Sequence, residues 1–211
     1  MMSIMNAMKV DRQTRDEHGA ALLEAASRLF RGRGIEAVRV ADVSGEAGLT
    51  HGAFYGHFAS KASLAEAACR DGLARGADRW RRRAAQARDQ VRDPLAAIID
   101  SYLTERHRDA PEQGCMLAAL GAEATRAEPP LRVAMADGTA LLLDVLAEEI
   151  AARHPDWPAP RVGRTATAVM SALLGGLLLA RACATDPSRS RDTLAEAARL
   201  ARAAADLPGK D

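Results

Sequence analysis

The stretch from Gly48 to Lys61, GLTHGAFYGHFASK, constrains the fold of this 211-residue chain more than any other segment. Just upstream, Val40 and Val43 lie three residues apart and place an apolar stripe on a short helix. Gly48 can adopt the positive φ that ends a helix sharply, and the hydroxyl of Thr50 can cap the helix that follows. The sequence therefore predicts two short helices joined by a tight turn.

The second of these helices has an apolar side and a polar side. Ala53, Phe54 and Phe58 are expected to face the core, while the complementary positions are expected to face outward: His51, Gly52, Tyr55, Gly56 and His57. A helix-turn-helix of this shape places its second helix in the major groove of DNA. We therefore interpret the unit as an element that binds double-stranded DNA.

The region from Thr14 to Leu64 resembles the N-terminal domain of the tetracycline-repressor (TetR) family of bacterial regulators. The family's recurring string, roughly G-V-S-K-G-T-L-Y-H-H-F-x-S-K-E-x-L, stands here as GLTHGAFYGHFASKASL. The resemblance implies two groups of DNA-binding residues. Phosphates would be contacted by Thr50, Tyr55 and Lys61, and base edges would be read by His51, Gly52 and Ala53.

Two further residues complete the predicted DNA-binding set. Arg39 occupies a place where the family often has a capping Ser or Thr; losing that cap costs about 1 kcal/mol, although Arg39 could reach a phosphate itself. Instead of contacting DNA, His57 could pack against its own domain. Tyr55 and Lys61 could instead lie on a solvated helix face without contacting DNA.

Composition predicts an all-α protein. Apolar residues make up 48% of the chain, aromatic residues only 3%, and no segment alternates with a period of two over the length of a strand. A first helix is expected over 15–31, and glycine and proline breakers cut out helices near 94–108, 113–126, 130–153, 160–184 and 188–206. The expected architecture has nine helices, the count that the family shows.

The sequence divides into two predicted domains behind a leader. Residues 1–13 are expected to form a disordered leader, and residues 14–61 a helix-turn-helix DNA-binding domain whose connecting helix runs to about residue 88. Residues 62–211 would form the effector-binding and dimerisation domain. Charge supports this division: residues 1–92 carry 16 Lys and Arg against 11 Asp and Glu, whereas residues 93–211 carry 13 against 17. The basic half is the one that contains the turn, as phosphate binding requires.

Several classes of protein are disfavoured by what the sequence contains. Cys69, Cys115 and Cys183 are far apart and read as reduced thiols of a cytoplasmic protein. The histidines join no hydrolase or metalloprotease motif, so we predict neither an enzyme nor a cofactor or metal. The longest apolar stretch, residues 165–180, has 16 residues between arginines and is shorter than the roughly 20 a bilayer needs. A buried helix, without a membrane partner, explains it better.

Small residues concentrate in the last two predicted helices and favour close helix packing. They are Ala166, Ala168, Ser171, Ala172, Gly175 and Gly176, followed by Ala195, Ala197, Ala198, Ala201 and Ala205. Pairing such a surface with a copy of itself would bury it, so we predict a homodimer through these two helices. The alternative is a packing site inside one subunit.

A dimer would bind a palindromic operator. A small-molecule effector that prefers a different spacing of the two DNA-binding domains would release the protein from the operator. The resemblance favours a repressor. The expected effector cavity is lined by Tyr102, His107, Cys115, Met116, Leu120, Met135, Leu142, Leu146, Met170 and Leu174, a set that favours an apolar ligand. As an alternative, Cys115 could sense oxidants or electrophiles, because it lies at a predicted helix start whose dipole favours a thiolate.

Overall fold

The computed structural model describes the backbone of residues 2–206 and the side chains of residues 13–206. Within this range the chain forms ten α-helices and a 3₁₀ turn at Pro111–Gln113, and no strand. The helices are α1 (Met2–Arg33), α2 (Val40–Glu46), α3 (His51–Tyr55), α4 (Lys61–Asp89), α5 (Pro94–Tyr102), α6 (Glu105–Asp109), α7 (Met116–Ala124), α8 (Pro129–Arg153), α9 (Ala159–Ala182) and α10 (Pro187–Asp206). The predicted all-α fold is confirmed.

The count of ten instead of nine arises because the helix expected over 94–108 is two helices. Leu103 leaves the helical conformation, and the Thr104 hydroxyl accepts a hydrogen bond from the backbone N–H of His107, so it caps a new helix. The Nδ1 atom of His107 lies 2.7 Å from the carbonyl oxygen of Tyr102. Side-chain hydrogen bonds with the backbone therefore produce a break that hydrophobic spacing does not reveal.

The first helix also differs from its expected bounds. Helix α1 begins at Met2, not near Arg15, so its first turns occupy residues for which the sequence predicts a disordered leader. The side chains of residues 2–12 lie outside the described part of the chain.

The first three helices enclose a small apolar core. Phe30 on α1, Val38 before α2, Val43 on α2 and Phe54 on α3 are completely buried. The long helix α4 packs against α1 at its beginning and against α5 and α8 further along. Helix α4 therefore connects the N-terminal helices with the C-terminal half.

The C-terminal half is a bundle in which α9 packs against both α8 and α10. Among the described residues, α9 is the one helix long and apolar enough to cross a membrane. Its most apolar 18-residue stretch has a mean hydropathy of 1.5, and 44% of that stretch is buried inside the protein. Its buried face carries Val169, Leu173 and Leu177, at helical spacing against the bundle core. We therefore assign α9 as a core helix.

The small residues of α9 and α10 divide into two groups. One group is buried between the helices of the same chain: Ala166, Gly176, Ala197, Ala201 and Ala205. A methyl group added at Gly176 would collide with Ala197. The other group is not fully buried: Ala168, Ser171 and Ala195 are exposed, and Ala172, Gly175 and Ala198 are half-buried. The alternative of a packing site within one subunit thus applies to the first group, and only the second remains available to a partner.

Candidate nucleic-acid interface and effector cavity

The turn between α2 and α3 is built by local hydrogen bonds. Gly48 has φ +68, and the N–H of Leu49 donates to the carbonyl of Ser44 at 2.8 Å. The hydroxyl of Thr50 accepts from the N–H of Ala53 at 3.3 Å and caps α3, as the sequence predicts. Because α3 has only five residues, this cap and the turn fix its direction.

Helix α2 lacks the cap that its sequence position suggests, and Asp42 compensates for it. The carboxylate of Asp42 accepts a hydrogen bond from the backbone N–H of Arg39 at 2.8 Å. This bond holds the pKa of Asp42 below its ordinary value. The Arg39 guanidinium lies 3.5 Å from the same carboxylate, yet its side chain is 83% exposed. Arg39 therefore stays available to solvent beside the turn.

The exposed face of α3 contains most of the predicted DNA-binding residues. Thr50, His51, Gly52 and Tyr55 are exposed, and Ala53 is half-buried. Tyr55 is 57% exposed although its ring is large, and its ring meets that of His51 edge-on at 5.4 Å between centroids. Aromatic and imidazole groups next to a side-chain-free glycine form a surface that can approach a sugar-phosphate backbone closely.

His57 and Lys61 are oriented differently from the other predicted contacts. The ring of His57 is half-buried against Gly19, where an added Cβ would lie 3.2 Å from its Nδ1, so the ring packs toward α1. The ammonium group of Lys61 donates to the carbonyl of Ile35 at 3.1 Å and to that of Glu36 at 3.4 Å. Both side chains thus stabilise the domain internally, and the outward orientation expected for His57 is not observed.

Two long-range contacts of this domain are absent from the sequence interpretation. The guanidinium of Arg15 donates to the carbonyl of Gly56 at 3.0 Å and ties α1 to the end of α3. The carboxylate of Glu123 accepts from the backbone N–H groups of Ile35 and Glu36, and so ties α7 to the loop after α1. Each contact joins residues more than 40 positions apart, and no local pattern marks such a pairing.

A cavity of about 280 Å³ lies between α4, α5, α6 and the start of α7. Five of the ten predicted effector residues line it: Tyr102, His107, Cys115, Met116 and Leu142. The other five pack in or against the apolar core: Leu120, Met135, Leu146, Met170 and Leu174. Half of the remaining lining residues come from α4, and they include Arg79, Arg83 and Trp80. The wall is more polar than the sequence suggests.

His107 organises one side of this cavity. Its Nε2 accepts the backbone N–H of Cys115 at 2.9 Å, which leaves Nδ1 to donate to the Tyr102 carbonyl. This arrangement requires the neutral imidazole, and burial lowers the pKa of His107 below its ordinary value. Arg181 on α9 donates to the carbonyl of His107 at 2.9 Å and holds the segment in place.

The cysteines have different environments. Burial raises the pKa of Cys69 to about 12, so it stays a thiol. Cys115 is half-buried and lines the cavity. Within the described part of the chain, no group of three or more His, Cys, Asp or Glu side chains is placed to hold a metal ion.

Comparison with known proteins matches the N-terminal domain to a described family. The model of the bacterial regulatory proteins of the tetR family matches residues 22–68, from the middle of α1 into α4. Over 82 residues the chain is 40% identical to the HTH-type transcriptional regulator TtgR of Pseudomonas putida, a match that covers 39% of this chain and 38% of that protein. The DNA-binding domain of this chain is therefore a tetR-family domain.

Solved structures extend the similarity beyond this tetR-family domain to the whole fold. A tetR-family regulator from Rhodococcus is 25% identical with a TM-score of 0.66, over 88% of this chain and 98% of that one. The reduced form of Escherichia coli NemR is 21% identical with a TM-score of 0.72, over 86% and 94%. The chain matches well under half the length of TtgR, and the family model matches only residues 22–68.

Proposed function

We propose that this chain is a ligand-responsive transcriptional repressor of the tetR family that binds a palindromic operator as a homodimer. The observation that carries the proposal is the exposed face of α3, with His51, Tyr55 and the nearby Arg39, inside the domain that the family model matches. DNA binding is assigned to residues 14–61, and effector binding and dimerisation to residues 62–211. Such a protein acts on DNA in the cytoplasm and has no catalytic role.

A dimer is part of the proposal because α3 is too short to specify a site alone. A helix of five residues reaches only a few base pairs, whereas two copies at a fixed spacing read two half-sites. The outer side of α9 and α10 offers the partner surface. Leu179 is 61% exposed and Leu200 is 56% exposed, and both border a groove between the two helices.

Ligand binding would be coupled to DNA through α4 and the end of α1. Helix α4 forms one wall of the cavity and begins at the helix-turn-helix. The guanidinium of Arg31 donates to the carbonyl of Glu112 at 2.8 Å, close to the cavity wall at Gly114. A ligand that favours one position of these elements shifts the spacing of the two α3 helices by its differential affinity.

Salt titration with DNA from the gene's own promoter region tests the proposal. We expect a palindromic fragment to bind more tightly than a random duplex, with an affinity that falls steeply as salt increases. Tyr55→Phe should weaken binding to all sequences alike, and His51→Ala should change the preference at one position in each half-site. Arg132→Ala, on the exposed side of α8 and outside both the cavity and the α9–α10 groove, is the control and should bind as the wild type does. Equal affinity for every duplex would refute the proposal.

A second candidate is a thiol-based sensor in the same family. It is favoured by the position of Cys115 in the cavity wall, which Arg79 also lines. Peroxide would transfer one oxygen atom to the Cys115 sulfur, giving a sulfenic acid and one water molecule. The structurally similar NemR was solved in a form described as reduced.

Substitution of the cysteine separates the two candidates. If the thiol is the sensor, peroxide releases the wild-type protein from DNA and leaves Cys115→Ser bound. Cys183→Ser, outside the cavity, is the matched control. Release of Cys115→Ser by peroxide as readily as the wild type would eliminate the sensor.

A further inference from the structure

We infer that the cavity binds a small organic anion, a carboxylate with an apolar body, and not a neutral apolar molecule. The inference rests on the proposed role of this cavity as the effector site and specifies the chemistry of its ligand. It reverses the expectation of an apolar ligand, which the sequence favours because it does not show which arginines face the cavity.

The first argument is an excess of positive charge in the cavity wall. Arg79, Arg83 and Arg106 all line the cavity, and no Asp or Glu does. Among the described residues, none of these three arginines has a hydrogen bond or ion pair to a carboxylate. By contrast, Arg88 contacts Glu149 at 2.5 Å and Arg153 contacts Asp206 at 2.8 Å elsewhere in the same bundle. The cavity wall therefore holds three guanidinium groups and, among the described residues, no carboxylate that balances their charge.

Arg79 is the central member of this group. Loss of solvent, and then the nearby charges that include Arg75 and Arg82, lower the pKa of its guanidinium. Arg31 lies close enough for the two guanidinium groups to repel. Arg79 remains exposed at the cavity wall, and an anion that enters beside it would offset the repulsion from its cationic neighbours. A carboxylate matches the planar, bidentate donor geometry of a guanidinium.

The rest of the wall suits the body of such a ligand. Leu73, Trp80, Met116 and Leu142 contribute apolar surface, and all four are buried. The hydroxyl of Tyr102 is also buried, with no nitrogen or oxygen partner and only the Cys115 thiol near it. This hydroxyl can donate to a ligand oxygen. The volume of about 280 Å³ lies at the lower end for ligand pockets, so the ligand is compact.

Calorimetric titration of the full chain with matched acids and amides tests the inference. The probes are cinnamate and octanoate, each compared with its neutral amide, at up to millimolar concentration. We expect at least one acid to bind and to exceed its amide in affinity by roughly tenfold or more. Arg79→Met should remove this preference, whereas Arg79→Lys should retain part of it. Arg81→Met removes the same charge from the same helix outside the cavity lining, where Arg81 pairs with Asp78, and should behave as the wild type does.

Three outcomes would overturn the inference: binding of no acid, equal or tighter binding of the amides, or an acid preference that survives in Arg79→Met. Circular dichroism shows whether the Arg79 variants are folded, and Arg79→Lys covers the case in which Arg79→Met is not. Operator release is measured separately. An acid that binds through Arg79 without releasing DNA supports the anion site and contradicts the proposed repressor mechanism. Release by a neutral compound alone supports the repressor mechanism and contradicts the anion site.

Discussion

The carboxylate of Glu123 on α7 accepts the backbone N–H of Ile35 at 3.0 Å, in the loop between α1 and α2. The carbonyl of Ile35 in turn accepts a hydrogen bond from the ammonium group of Lys61, at the start of α4. The loop is therefore held by the effector half through its N–H groups and by the DNA-binding half through its carbonyl groups. Glu36 shares both contacts. This double attachment makes residues 35–36 a mechanical link between the two halves.

Removing the carboxylate of Glu123 should loosen this link. Glu123→Ala leaves the N–H groups of Ile35 and Glu36 without their acceptor, and we expect a loss of about 1–3 kcal/mol in the free energy of unfolding. Urea denaturation measures it. Glu66→Ala is the control, because Glu66 forms a partly exposed pair with Arg70 and should cost well under 1 kcal/mol. Equal losses in both variants would show that Glu123 is not a structural tie.

The DNA-binding unit could be predicted from sequence because its determinants are local. Gly48, Thr50 and Phe54 act within a few residues of one another, and each has its predicted role in the structure. The effector cavity could not be predicted to the same extent. Arg79 and Tyr102 meet there only because α4 packs against α5, and periodicity specifies that a residue is apolar without specifying which neighbour it meets.

Acid should destabilise the fold through His107. Its pKa is lowered in the folded state, so near pH 6 the unfolded chain binds more protons at this position than the folded chain. Stability is then fully present above the ordinary pKa near 6.5 and decreases as pH falls from there toward the folded-state pKa. His107→Gln should show a shallower decrease in unfolding free energy between neutral pH and about pH 5. The exposed His51→Gln is the control and should keep the wild-type slope.

Val91 is an unfavourable residue at its position. It has φ +53 in the turn after α4 and is 96% exposed, so a β-branched side chain occupies a left-handed conformation without a packing benefit. Val91→Asn should raise the free energy of unfolding by about 0.5–1 kcal/mol, seen as a higher melting temperature. The same change at Val133, exposed within α8, should not stabilise the protein. A lower melting temperature for Val91→Asn would contradict this account.

Gly176 should be intolerant of even one methyl group. Its added Cβ would meet Ala197 on α10, so Gly176→Ala overpacks the α9–α10 contact and should cost about 1–3 kcal/mol. Gly163 lies on the same helix with no neighbour within 4 Å of an added Cβ. Gly163→Ala should therefore be neutral or stabilising, because alanine favours a helix more than glycine does. Thermal melts of the two variants compare these opposite signs directly.

The exposed leucines of α9 and α10 should determine the oligomeric state. Leu179 is 61% exposed in a single chain, and an exposed leucine that borders the α9–α10 groove suits a partner surface. Leu179→Arg places a charge in that surface and should give a folded monomer by sedimentation velocity at micromolar concentration, with much weaker binding to a palindromic duplex. Leu141→Arg is the control, since Leu141 is 37% exposed on α8 and outside the groove, and it should remain dimeric. A wild-type chain that sediments as a monomer would contradict the proposed dimer. A Leu179→Arg variant that stays dimeric would place the interface elsewhere, because burying a charge without a partner in the interface is too costly.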